Sequence, residues 1–218
     1  MCNLYSITKG QQAIRQLFEI QRDLAGNLQP MPGVYPDGLA PVVRLGDDGS
    51  RELVMMRWGF PPPPNLGRAP VTNVRNAQSP YWRGWLKPQH RCLVLANSFC
   101  EWEQTAPKKT PTWFALDETR PLFAFAGIWR PWTGTRGTKA APAEGEHKLF
   151  SFLTTSPNAV VDPIHPKSMP AILTTAREWT IWLTAQTPEA LTLQRPLPDD
   201  AIRIVMRGRG EDVAAAQA

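Results

Sequence analysis

Cysteine is scarce in this chain, with three residues in 218, at positions 2, 92 and 100. An odd, widely spaced set forms no disulfide framework and no zinc-type CxxC pair, so a disulfide-stapled scaffold is excluded and a reducing cytoplasm is expected. Histidine is equally rare, with three residues, and neither a metal nor a cofactor is expected. No apolar run approaches the ~20 residues of a membrane span. The longest, around Leu122 to Trp129, suits a buried strand. The opening Met-Cys-Asn-Leu-Tyr-Ser lacks the basic and apolar regions of a secretory signal. Internal repeats and interdomain linkers are missing too. The expectation is one cytoplasmic, monomeric domain over residues 1–206 with no membrane partner, followed by a disordered tail over 207–218.

A hydrophobic fraction of 42% is enough for a sizeable core. The net charge of +5 is modest, but 17 of the 24 basic residues are Arg, and nine Trp accompany them. Arg grips phosphate bidentately and Trp offers a flat face to a base, the pairing used on single-stranded nucleic acid. Core packing accounts for Trp equally well, so composition alone leaves both readings open.

Thr8 to Gln11 reads as a capping box opening a helix with Ile14, Leu17 and Phe18 on one face. Val42–Leu45 and Glu52–Trp58 flank Gly-Asp-Asp-Gly as a hairpin. Pro61 to Pro64 reads as a stiff surface loop. Ser79-Pro80 reads as the start of a short helix bearing Tyr81, Trp82 and Trp85. Strands follow at 91–95, 99–103, 112–116, 122–129 and 148–154, with 133–146 expected as a mobile loop. Thr175 to Glu178 caps a helix with Trp179 and Trp182, Thr187-Pro188 starts another, and 201–206 is a late strand. Strands in runs with few helices between them argue for an α+β domain around a mainly antiparallel sheet.

Four places carry candidate chemistry. Cys2, once Met1 is trimmed, has an α-amine beside its thiol, with reference pKa values of ~8 and ~8.5. Such a 1,2-aminothiol condenses with an aldehyde to an imine and closes to a thiazolidine; equally, position 2 is where termini fray. Asn73 and Arg75, two apart on an extended segment, share a face and can orient a reacting group and hold an anion, or form a turn with a solvated Arg. On Phe99–Glu103, alternation puts Glu101 on one face and Cys100 on the other. A carboxylate between aromatics is a candidate for a raised pKa and proton transfer, unless the strand is half-exposed and its glutamates sit in water. His165 lies between Pro163 and Pro166, held as an acid or base or as a structural ring.

Taken in order, Cys2 after Met1, Trp58-Gly59-Phe60, Asn73-x-Arg75, Arg91-Cys92-Leu93-Val94 with Phe99-x-Glu101-Trp102, Lys109-x-Pro111, and Ile164-His165 with Met169-Pro170 resemble the SOS-response-associated peptidases, the abasic-site processing proteins. The resemblance runs from residue 2 to the helix bearing Trp182. It implies a curved, barrel-like antiparallel sheet and covalent capture of abasic sites in single-stranded DNA, in the cytoplasm and on the nucleoid when DNA is bound. It further implies Cys2 as nucleophile, Asn73 positioning its amine and the adduct, Arg75 gripping phosphate, and Glu101 and His165 moving protons. Removal of Met1 is part of the same implication. Three positions depart from the family pattern. Asn3 stands where Gly is common, Ala77 where Glu is frequent, and Lys167 replaces Arg in a His motif one residue longer than usual.

Overall fold

Apolar runs with no polar alternation, such as Cys92-Leu93-Val94-Leu95-Ala96, read as strands covered on both faces. Here they line a barrel. The computed structural model describes residues 2–63, 67, 69–103 and 109–213. In chain order the early strands are β1 (Tyr5–Ile7), β2 (Arg22–Asp23), β3 (Met31–Val34), β4 (Leu39–Leu45), β5 (Arg51–Trp58) and β6 (Asn73–Val74). They are followed by β7 (Arg91–Ala96), β8 (Ser98–Glu103), β9 (Thr110–Ala115), β10 (Phe123–Thr138) and β11 (Ala141–Thr155). The last are β12 (Met169–Pro170), β13 (Ile172–Leu173) and β14 (Arg203–Arg207). Helices α1 (Gln11–Leu17), α2 (Ala176–Thr184) and α3 (Thr187–Ala190) flank them.

β4, β5, β7, β10 and β11 close on one another. Four contacts in this ring are antiparallel, and the fifth is a parallel pairing that sets Leu149 and Phe150 of β11 opposite Arg57 and Trp58 of β5. Closure removes the exposed edges that an open sheet would carry. A second sheet, in the order β14-β9-β8-β1-β3, carries Glu101 on β8 and, on β1, the segment that follows Cys2. The expected α+β, barrel-like, mainly antiparallel architecture is the one observed, as is the β4–β5 hairpin.

Four local expectations are corrected. Thr8 does not cap α1: its N–H donates to Asn97 Oδ1 at 2.7 Å, and the N-cap is Gly10, with no side-chain cap. A distant amide outcompeted the local capping box. Residues 79–86 form turns, not a helix, with Trp82 and Trp85 N–H bonded three residues back; Gly84 and Pro88 oppose helix propagation. The segment 133–146 is no loop but the outer part of a long hairpin, in register from Trp132 opposite His147 to Thr138 opposite Ala141. Arg136 Nη2 lies 2.7 Å from Asp37 Oδ1, and the Gly137 N–H donates to Asp37 Oδ2, so the hairpin is tied to the body. Finally, Arg207 ends β14 and Asp212 is completely buried, so the disordered tail does not begin at 207. Residues 214–218, Met1 and Pro64 lie outside the described residues. The capping box of α2 is present as expected, with Thr175 and Glu178 bonding each other's backbone N–H.

Among the described residues Arg91 is the most deeply buried cation. Its guanidinium donates to the carbonyls of Leu86, Trp182 and Ala185 and to Thr187 Oγ1, and it lies over the Trp182 ring. Three carbonyls, two of them at the C-terminal end of α2, thus share one cation. Arg91→Met is expected to cost about 3 kcal/mol or more, because those buried carbonyls lose charged donors. Urea unfolding of both proteins measures it.

Candidate active site

Cys2 is buried completely, contrary to the fraying that its position invites. Its S–H donates to the Leu4 carbonyl at 3.4 Å, with the Cys100 carbonyl at 4.0 Å. Its own carbonyl accepts from Asn73 Nδ2 at 2.8 Å. Asn73 sits on β6, which runs parallel to β11 with Phe152 opposite it, so the barrel wall fixes the amide. The same Nδ2 reaches Thr72 Oγ1 at 2.7 Å, and Thr72 Oγ1 donates to Asn3 Oδ1 at 3.1 Å. Asn3 is therefore part of the clamp on the Cys2 backbone.

Glu101 is 2% exposed and lies on β8, facing the barrel together with Phe99. Burial raises its carboxyl from 4.5 to about 7. Oε1 has no hydrogen-bond partner among the described residues, and neither does Asn73 Oδ1. Burial, with Glu101 close by, also pushes the Cys2 thiol well above its ordinary value. The folded site thus holds a neutral thiol beside a carboxyl that titrates near neutrality.

His165 completes the group. Its Nδ1 donates to the Ser168 carbonyl at 2.8 Å; a carbonyl only accepts, so Nδ1 carries the proton in the neutral ring. Nε2 then stands 3.9 Å from Glu101 Oε2. Burial lowers the imidazole's pKa while it raises the carboxyl's, so the uncharged acid and uncharged ring are favoured over an ion pair.

Arg75 is exposed at the rim. Nη1 donates to the Lys167 carbonyl at 3.3 Å, and Gln194 Nε2 holds the Arg75 carbonyl at 3.0 Å. The five candidate residues therefore lie along one continuous site, four of them buried and one at its mouth. Ala77 packs into the core, and Lys167 contributes its backbone to Arg75. Cys100 lies on the opposite face of β8 in a separate cluster with Leu4 and Trp113, its thiol raised to about 12 by burial. His90 and His147 are half-buried, His90 between Trp85 and Trp129.

A family model for the SOS response associated peptidases matches residues 1–206. The chain belongs to that family. It is 30% identical over 211 residues to the abasic site processing protein YoqW of Bacillus subtilis, covering 92% of this chain and 88% of the relative. It is 28% identical to the abasic site processing protein HMCES of Gallus gallus, covering 90% of this chain and 67% of the relative. A crystal structure of a Bordetella bronchiseptica protein superposes with a TM-score of 0.70 at 22% identity, covering 95% of this chain and 98% of that one. That likeness speaks to the fold.

Sequence reasoning gave no role to Thr72, Asn3 or Ser168. Thr72 and Asn3 act through a hydroxyl and an amide that bond each other, and Ser168 through its backbone carbonyl. For the first two, adjacency to Asn73 and Cys2 was the available signal; a backbone acceptor leaves none. Among the described residues no group of three or more His, Cys, Asp or Glu could hold a metal, and no helix is long and apolar enough to cross a membrane.

Proposed function

We propose that this protein processes abasic sites by capturing the ring-opened sugar aldehyde covalently on Cys2 in single-stranded DNA. The observation that carries this reading is the complete burial of residue 2 and the grip of Asn73 on its carbonyl. Ordering a chain terminus costs conformational entropy, and the clamp supplies the compensation. The names of YoqW and HMCES, abasic site processing proteins, support an abasic site as the substrate.

The chemistry balances with the groups present. Hydrolysis of the Met1–Cys2 bond consumes one water and frees the α-amine. The amine adds to the C1′ aldehyde and the carbinolamine loses water, giving a protonated imine. Sγ then attacks C1′, the thiol proton passes to a base, and nitrogen keeps one hydrogen in the thiazolidine. Glu101 in its acid form protonates the departing hydroxyl, and as carboxylate it accepts the thiol proton. His165 Nε2, 3.9 Å from Oε2, exchanges a proton with it through one bridging water. A cysteine hydrolase needs a base hydrogen-bonded to its thiol; among the described residues Cys2 Sγ bonds only backbone carbonyls.

Intact-mass spectrometry of the protein mixed with a uracil-glycosylase-treated oligonucleotide tests the reading. An adduct lighter than the sum of the two reactants by one water, on a chain lacking Met1, is expected. Peptide cleavage alone would establish the hydrolase, and neither product would leave a non-covalent binder. Arg75→Ala is expected to weaken binding to any single strand, abasic or intact, because phosphate contacts carry little sequence information. The slope of log K against log salt should flatten by roughly 0.7, the value for one contact on a single strand. Fluorescence anisotropy across a salt series reads it.

A further inference from the structure

Beyond residue 206, where the family match ends, the chain makes a buried ionic contact that the proposed chemistry does not use. Asp212 is 0% exposed. Arg120 Nε donates to Oδ1 at 3.1 Å and Oδ2 at 2.8 Å of its carboxylate, and Ser98 Oγ donates to Oδ2 at 2.6 Å. Ser98 Oγ also lies 2.7 Å from Ser6 Oγ. A carboxylate only accepts, so the Ser98 proton is committed to Asp212 and Ser6 must donate to Ser98. The result is a directed chain, Ser6 to Ser98 to Asp212, backed by Arg120. Arg120 holds a left-handed backbone conformation, φ 52°, unusual for a side-chain-bearing residue. Such a conformation persists only where the surroundings over-determine it.

Ser6 is on β1 and Ser98 on β8, directly opposite each other in the antiparallel pairing. β1 has only three residues, and its ladder to β8 holds two registered pairs. Backbone pairing of that length specifies register weakly, and a slip of one residue reverses every side chain. Tyr5, packed against the rings of Trp58 and Phe125, decides which face of β1 turns inward. The hydroxyl chain ties that strand to β8 from behind. The front of β8 carries Glu101 toward Cys2; its back carries Ser98 to Asp212.

We infer that Asp212 is a positioning residue: through Ser98 and Ser6 it fixes β1 on β8, and so fixes Cys2 against Glu101. The rest of the segment supports the placement. The Asp212 N–H donates to the Pro32 carbonyl at 2.9 Å, Trp113 Nε1 donates to the Arg209 carbonyl at 2.9 Å, and Arg207 reaches Glu103 at 2.6 Å. The consequence for rate rests on the proposed capture reaction; the consequence for Cys2 exposure does not.

Ser98→Ala cuts the chain and leaves the Arg120–Asp212 ion pair in place, so it is the variant to read; Asp212→Asn is its companion. Both should slow adduct formation by about 10²-fold, the usual cost of a displacement near 1 Å between reacting groups. Ser98→Thr keeps the hydroxyl and should restore most of the rate. The rate step due to Glu101 should move from near pH 7 toward the ordinary carboxylate range as its burial loosens. Trp182→Phe, on the buried face of α2, controls for lost stability and should do neither. Alkylation of Cys2 by iodoacetamide, located by peptide mass spectrometry, is the DNA-free arm, and Ser98→Ala should raise it tenfold or more. If Ser98→Ala matches wild type in both rate and alkylation, the inference is overturned. If wild type forms no adduct, the capture reading fails and the alkylation series alone decides the positioning role.

Discussion

Cys2→Ser is expected to yield no stable adduct with an abasic oligonucleotide, against near-complete capture by the unmodified protein. Serine keeps the α-amine and still forms an imine, but its hydroxyl is a far weaker nucleophile than a thiol at neutral pH, so the ring does not accumulate. Borohydride should therefore trap Cys2→Ser as a reduced amine and reveal that the first half of the reaction survives. The fold should tolerate the change, since the Leu4 carbonyl that accepts from Sγ can accept from Oγ. Retaining Met1 blocks both variants alike, because the amine is then an amide. Full crosslinking by Cys2→Ala without borohydride would remove Cys2 from the mechanism.

Glu101→Gln should slow adduct formation by about 10²- to 10⁴-fold, the range a general acid–base group contributes. The amide keeps the shape of the side chain and loses the titrating proton. Transfer of the adduct to a competitor oligonucleotide should slow by the same factor, because one proton shuttle serves ring closure and ring opening. Cys100→Ala should leave both rates within a few-fold of wild type, its thiol being turned to the other face of β8. Time courses of capture and transfer for the two variants separate them; loss of the adduct in Cys100→Ala alone would invert the assignment.

The same residue sets a pH signature in stability. The carboxyl rises from 4.5 in its ordinary state to about 7 when folded, so between those values the folded protein binds a proton that the unfolded chain has lost. Its contribution is fully present below pH 4.5 and is lost as pH rises through about 7. Wild-type Tm should accordingly fall relative to Glu101→Gln across that window and run parallel to it above. A difference that grows in wild type's favour with rising pH would contradict the buried acid.

The reading of the sequence succeeded where local pattern and tertiary context agreed. The apolar run of β7, the Gly-Asp-Asp-Gly hairpin and the Thr175–Glu178 box all stand. It failed where a distant partner won: Asn97 took Thr8 from its helix, and Asp37 fastened a Gly- and Thr-rich hairpin that resembled a loop. The site was legible because alternation separates Glu101 from Cys100, and the strand keeps it. The abundance of Trp and Arg was less informative. Trp58, Trp113 and Trp182 are fully buried, and Arg44, Arg91, Arg130 and Arg136 each lie over a Trp of the same chain. Asp212 gave no signal, because a lone acid near a polar C-terminal stretch looks solvated until Arg120 and Ser98 arrive.

The hydrogen-bonded chain that runs from Ser6 to Asp212 joins segments that leave the ribosome far apart in time. At about 5 to 20 residues per second, roughly ten to forty seconds separate the emergence of the two. Throughout that interval the thiol at position 2 belongs to an unfinished chain, open to any electrophile in the cell. By that inference, the site closes only once the segment around Asp212 has left the ribosome. Damage to Cys2 by stray aldehydes or oxidants should therefore fall on newborn molecules and spare old ones. A pulse-chase labelling experiment would see that as a reactivity that ages within a minute.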